Sequence, residues 1–135
     1  MDEKLELTLG VGRDTPARAR KALGGLNGSL ADLRQPVRLL VSELVTNAVL
    51  HGGTGSDRTI RVRLEARTDQ VRVEVTDQGP GFEPGATGSR EDPPAGGFGL
   101  TLVDALADRW GVDAKQGACV WFEIDRPRRA QTAHA

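Results

Sequence analysis

This chain of 135 residues contains no tyrosine, three phenylalanines and two tryptophans, so its core cannot be an aromatic cluster. With 38% apolar residues, the filling is left to Val, Leu and Ala. A single cysteine, Cys119, excludes an internal disulfide, and with only two histidines it gives no zinc-ligand pattern. The 18 basic and 19 acidic residues nearly cancel, to a net charge of −1. No global field therefore recruits nucleic acid or an anionic membrane. No apolar run approaches the roughly 18 residues of a membrane span, and the opening MDEKLELTLG does not read as a signal peptide. Neither a repeat nor a linker divides the chain. These absences predict a soluble, cytoplasmic protein with one domain over residues 1–125 and a flexible tail over 126–135.

What is present centres on Leu39–Gly53, LLVSELVTNAVLHGG. At about 100° per residue, Val37, Leu40, Val41, Leu44, Val45, Ala48 and Val49 fill one broad arc of a helix. Glu43 and Asn47 stand four apart, one turn above the other, at the edge of that arc. Asn offers a neutral carbonyl oxygen to a hard cation and Glu a proton acceptor. His51 continues the spacing, but a histidine at a helix end reads first as a structural contact.

Around this helix the chain alternates. Leu5, Leu7, Leu9 and Val11 form a half-buried strand by their period of two. Asp14 before Thr15-Pro16 is a plausible cap for a first helix through Ala17, Ala22 and Leu23, fading at Gly24-Gly25. Asn27-Gly28 reads as a turn, and the central helix is expected to begin between Asp32 and Pro36 and stop at Gly52-Gly53. Ile60, Val62, Leu64 and Ala66, then Val71, Val73 and Val75, alternate with charged residues about a turn at Thr68-Asp69. This is a hairpin whose sheet is covered on one side.

The inward phase of the second strand continues to Asp77, and a carboxylate on a core face is costly without a partner. It is either a strand-end turn residue or an acceptor for a ligand lying over the sheet. Gly79 and Gly81 follow at once and read as a close approach of backbone to ligand. Residues Glu83–Ala95 show no periodicity and hold three prolines, so they form either a lid or a disordered segment. Gly96-Gly97-Phe98-Gly99-Leu100 then opens a helix with Leu102, Val103, Leu106 and Ala107 on one face. Glycines at a helix N-terminus suit phosphate, although no P-loop spacing occurs. Two strands are expected last, over Trp110–Ala114 and Ala118–Ile124, with Val120, Phe122 and Ile124 inward. Cys119 reads as a packing residue rather than a nucleophile.

An E-x-x-x-N helix, a strand ending in D-x-G-x-G, a long loop and G-x-G-L opening a helix resemble, in that order, the GHKL ATPases. Within them SELVTNAVLHG, VTDQGPGF and GGFGLTLVDALADRWGV look most like bacterial anti-sigma-factor serine/threonine kinases, a match running from about Leu5 to Ile124. The resemblance implies the Bergerat ATP-binding fold, a two-layer α/β (α+β) sandwich with a mixed, largely antiparallel sheet and helices on one face. It implies that Asn47 ligates Mg²⁺, Asp77 binds the adenine amino group, and Gly79 and Gly81 let the base approach. Gly97, Phe98, Gly99, Leu100 and Thr101 would close on the phosphates of ATP. Glu43 would be the general base toward a Ser or Thr hydroxyl of a partner.

The implied partners are a sigma factor and an anti-sigma-factor antagonist, with room for a homodimer and no direct contact to nucleic acid. The sequence departs from the family where Ala95 and Phe98 stand in place of an arginine often found there, leaving Arg90 as the nearest loop cation. Ala118-Cys119 also stands where a threonine is common. The alternative is a non-catalytic nucleotide-binding module that sequesters its partner. A histidine-kinase fragment ranks last, because no His-bearing dimerisation helix is expected ahead of the first strand.

Overall fold

The period-two stretches pair into one sheet, and the apolar side of that sheet takes the helices. The computed structural model describes residues 3–51, 58–77, 87–88, 100–113 and 118–126. Its strands are β1 (Glu3–Gly10), β2 (Thr59–Ala66), β3 (Gln70–Asp77), β4 (Thr87–Gly88), β5 (Arg109–Asp113) and β6 (Ala118–Asp125). They lie in the order β1-β2-β3-β6-β5-β4. Every described pair is antiparallel. The helices are α1 (Thr15–Leu23), α2 (Asn27–Leu30), α3 (Arg34–His51) and α4 (Thr101–Leu106). This is the expected α+β architecture.

Register carries the core across the strands. Val62, Leu64 and Ala66 face Val75, Val73 and Val71, which in turn face Val120, Phe122 and Ile124. All nine are buried. Each such side chain contributes roughly 1.5–3 kcal/mol on full burial, somewhat less for alanine. Against this face α3 sets Val37, Leu40, Val41, Leu44, Val45 and Ala48, all buried, with Val49 half-buried.

The helical layer departs from expectation in two places. Asp14 does occupy the N-cap of α1 but makes no side-chain capping bond. Thr15 ties the corner instead: its Oγ1 donates to Gly10 O and accepts from the Gly12 N–H, both at 2.8 Å. The turn expected at Asn27-Gly28 is a helical turn, flanked by 3-10 segments at Gly24–Leu26 and Ala31–Leu33. Leu23, Leu26 and Leu30, three and four residues apart, are all buried, so packing overrides the turn propensity of Asn and Gly. The loop expected over residues 83–95 contributes Thr87 and Gly88 to the sheet, opposite Gly111 and Trp110. Its other residues lie outside the described set.

The uncovered face of the sheet is polar. Arg72 lies 4.5 Å over the Trp121 ring and donates to Glu74 and Glu123. Arg109 donates to Glu123 through Nε at 2.7 Å and also pairs with Asp125. Gly111 opens the space for Trp121, since a Cβ there would meet the indole Nε1 at 2.9 Å. Arg126, read from sequence as the start of a tail, is anchored. Its N–H donates to Asp69 O, and its guanidinium donates to the carbonyls of Arg67, Ser29 and Leu30. Residues 127–135 lie outside the described set. No described helix is long and apolar enough to cross a membrane.

Burial pushes the Glu123 carboxyl up, but hydrogen bonds from Arg109 and Arg72 outweigh it and leave it below the ordinary carboxylate range. A carboxyl depressed in the folded state stabilises above its unfolded pKa and loses that contribution as pH falls through its folded value. Thermal unfolding followed from pH 7 down to pH 3 should therefore show a progressive loss that Glu123→Gln flattens. At pH 7 the variant should be less stable by about 1 kcal/mol, the scale of a partly exposed network. An unchanged acid limb in Glu123→Gln would remove Glu123 from the account.

Candidate functional site: the end of the central helix and the third strand

The residues singled out on α3 fall in different environments although one turn separates them. Asn47 is 4% exposed, while Glu43 is half-buried. Four residues advance a helix by about 40° beyond a full turn, enough to carry Asn47 into the seam over the sheet and leave Glu43 at its rim. Leu39 and Leu50 are 46% and 68% exposed and lie on the Glu43 side of the helix, four residues before it and seven after. Glu43 thus stands on a half-apolar outer stripe.

Asp77 ends β3 on the buried face, opposite Ile60, with 0% exposure. Its cationic partner is Arg58, which the sequence reading passed over. Arg58 Nη2 donates to Asp77 Oδ2 at 2.7 Å and to the carbonyl of Ala48 at 2.8 Å. The carbonyls of a helix's last turn have no partner within the helix, so one nitrogen caps α3 and binds the end of β3. A signal for it existed: Arg58 sits two residues before Ile60, in the inward phase of β2.

Two buried side-chain atoms among the described residues have no hydrogen-bond partner, Asn47 Nδ2 and Arg58 Nε. Both belong to side chains at this junction. Buried polar atoms are satisfied in the large majority of cases, so the pair marks a place where a ligand or water completes the network. The two ends of an Asn amide are assigned by their surroundings. Turned over, the unpartnered end of Asn47 is a carbonyl oxygen, the donor a hard cation needs. Among the described residues no group of three His, Cys, Asp or Glu forms a metal cage. One amide oxygen supplies a single ligand, so any Mg²⁺ held here would need phosphate oxygens and water to complete its shell.

Leu100 is buried at the turn before α4, and Thr101 begins the helix with its side chain exposed. Gly79, Gly81, Gly97, Phe98 and Gly99 lie outside the described residues, as does the His51 side chain. Only six residues long, α4 sums little dipole, so phosphate would depend on local N–H groups. Val103 and Ala107 are buried and Leu106 half-buried, but Leu102 is exposed. With Val103 and Ala107 facing the core, Leu102 falls about 100° off that direction. Trp110 Nε1 donates to Asp104 at 3.1 Å and pins α4 to β5.

Comparison with known proteins places this geometry in a family. Residues 14–124 match the histidine kinase-like ATPase domain. The chain belongs to that family. An anti-sigma F factor of Clostridium beijerinckii is 31% identical over 127 residues, covering 86% of this chain and 88% of that one. A serine-protein kinase RsbW of Bacillus pumilus is 31% identical over 125 residues, covering 83% and 75%. The crystal structure of the RsbU and RsbW domains of Rv1364c from Mycobacterium tuberculosis matches with a TM-score of 0.64 at 20% identity. That match covers 93% of this chain and 33% of the other, and it bears on the fold alone. The resemblance drawn from the sequence motifs is borne out, and the chain is an ATPase-type, ATP-binding domain.

Within this ATPase domain Cys119 lies half-buried on β6, and burial raises its thiol above the ordinary range despite a hydrogen bond with Thr76. A thiol held protonated is a poor nucleophile. Reaction with an aromatic disulfide reagent at pH 7 should be about tenfold or more slower in the folded protein than in denaturant. Equal rates would show that Cys119 is open and unperturbed.

Proposed function

We propose that this domain is a Mg-ATP-dependent anti-sigma regulator that transfers the γ-phosphoryl group to a Ser or Thr of a protein antagonist and also engages a sigma factor. The observation that carries the reading is the junction of α3 and β3, where Arg58 ties a fully buried acid to the end of the helix that carries a buried, incompletely bonded amide and, one turn before it, a half-buried glutamate. The names of the relatives, anti-sigma F factor and serine-protein kinase RsbW, support the same assignment.

In this reading Asp77 accepts from the adenine amino group, and Asn47 would hold Mg²⁺, which would supply neutralisation of phosphate charge. Gly79 and Gly81 would admit the base, and Gly97, Phe98, Gly99, Leu100 and Thr101 would close on the phosphates. Glu43 takes the proton of the partner's hydroxyl as its oxygen bonds to the γ-phosphorus. The bond from that phosphorus to the bridging oxygen breaks, and ADP leaves with the electron pair. Leu39 and Leu50 flank Glu43 and favour a partner with an apolar contact surface around the acceptor. The second reading, sequestration without transfer, draws on Ala95 and Phe98 in place of an arginine.

Loss of one charge-assisted hydrogen bond to the base should cost about 1.5–3 kcal/mol, roughly tenfold to a hundredfold in affinity. Calorimetry of Mg-ATP binding to the parent and to Asp77→Asn measures it. Equally tight binding by the variant would refute the adenine assignment.

For Glu43→Gln, ATP affinity should hold while single-turnover transfer to the antagonist falls by about 10²–10⁴, the worth of a positioned base. Transfer undiminished in Glu43→Gln would remove the base role. Absence of transfer in the parent, with partner binding intact, would decide for sequestration.

A further inference from the structure

We propose that Arg58 is a positioning residue for nucleotide-base selection, holding Asp77 in the orientation that reads the amino group of adenine. The inference rests on the nucleotide reading above and adds to it a residue outside the ATPase motifs. Arg58 is nine-tenths buried and Asp77 fully so. A single nitrogen of Arg58 reaches both Asp77 Oδ2 and the Ala48 carbonyl. The same guanidinium therefore fixes the carboxylate to the helix that carries Asn47 and Glu43.

Capping α3 alone does not explain this choice. A water or a surface lysine serves a helix-end carbonyl without taking a guanidinium out of solvent. Nor does stability explain it, because a buried ion pair is often matched or bettered by apolar residues of similar volume. Strand β2 continues inward with Ile60, Val62 and Leu64, so an apolar side chain at position 58 would fit the pattern. What an apolar residue cannot do is fix which way a carboxylate points. The unpartnered Nε–H of Arg58 adds a second mark of incompleteness at the same place.

A carboxylate held in one orientation accepts from the exocyclic amino group of adenine and opposes the carbonyl oxygen that replaces it in inosine. The parent should therefore prefer ATP to inosine triphosphate by about tenfold or more, the scale of one charge-assisted bond replaced by two opposed acceptors. In Arg58→Met the carboxylate loses its anchor, and the preference should shrink to within about threefold. Arg58→Lys keeps a cation whose one nitrogen can donate to both oxygens, but on a flexible stem without the rigid guanidinium plane, so its preference should fall between the two. Arg63→Met, at a half-exposed position on β2, is the control and should match the parent.

Calorimetric Kd values for both nucleotides with all four proteins make the test, with circular dichroism establishing that each is folded. If Arg58→Met does not fold, the ratio in Arg58→Lys decides, and a parental ratio there overturns the inference. A variant that weakens both nucleotides equally makes Arg58 a structural cap and also overturns it. Tighter ATP binding by Arg58→Met would mean that the guanidinium competes with the base, the opposite of positioning. A parent that binds no ATP sinks the nucleotide reading and this inference together. A parent that discriminates, beside an Arg58→Met that discriminates equally, sinks this inference alone.

Discussion

A sheet covered on one side must hold every strand in phase, and the placement of each functional side chain here follows from that constraint. Slipping β3 by one residue would send Val71, Val73 and Val75 to the polar face and bring Arg72, Glu74 and Thr76 inward. At roughly 1.5–3 kcal/mol for each valine exposed, with the burial cost of two charges added, that slip is prohibitive. The hydrophobic pattern thus fixes more than the core. It also dictates that the last residue of β3 points into the protein, and that residue is an aspartate.

The same constraint separates two kinds of ion pair. On the uncovered face, Arg72, Arg109, Glu74, Glu123 and Asp125 interlace across β3, β6 and β5 in partial contact with water, and Trp121 lies beneath Arg72. Pairs of this kind contribute modestly and weaken with salt. The Arg58–Asp77 pair belongs to the covered side, where both partners have left water. Breaking such a pair by removing one member costs about 3–5 kcal/mol, while replacing both by apolar groups is often neutral. Thermodynamically it is a commitment to geometry rather than a source of stability.

Much of this was legible in the amino-acid pattern because period two and period 3.6 are consequences of backbone geometry. The strands, the buried arc of α3 and the inward aspartate all follow from counting. Arg58 follows from the same count, extended two residues back from Ile60, but a lone arginine after Gly55-Ser56-Asp57 reads first as loop. Its significance depends on a partner nineteen residues away, and pairing across strands is set by register, which a single strand does not reveal. The helical turn at Asn27–Leu30 was hidden for a different reason. Local propensity there opposes the tertiary burial of Leu26 and Leu30, and burial wins. Thr87 and Gly88 carry no pattern of their own and pair as an edge only because β5 offers an unpaired side.

Division of labour along α3 is the remaining step. A group that binds a cation and a group that takes a proton from a docked protein need opposite surroundings, one enclosed and one reachable. Because 3.6 residues make a turn, a spacing of four gives both: Asn47 turns toward the seam and Glu43 stays at the rim, about 6 Å along the axis from 1.5 Å rise per residue. Rigidity makes the spacing useful, and the helix is held at both levels. Leu40, Leu44 and Ala48 pack it onto the sheet, and Arg20 donates to Ser42 Oγ from α1 at 2.6 Å. Arg58 then secures its far end to Asp77. Under the proposed roles, cation binding and proton acceptance would sit on one rod to which the base-reading carboxylate is tied through Arg58, so a shift of that rod at either end would disturb all three at once.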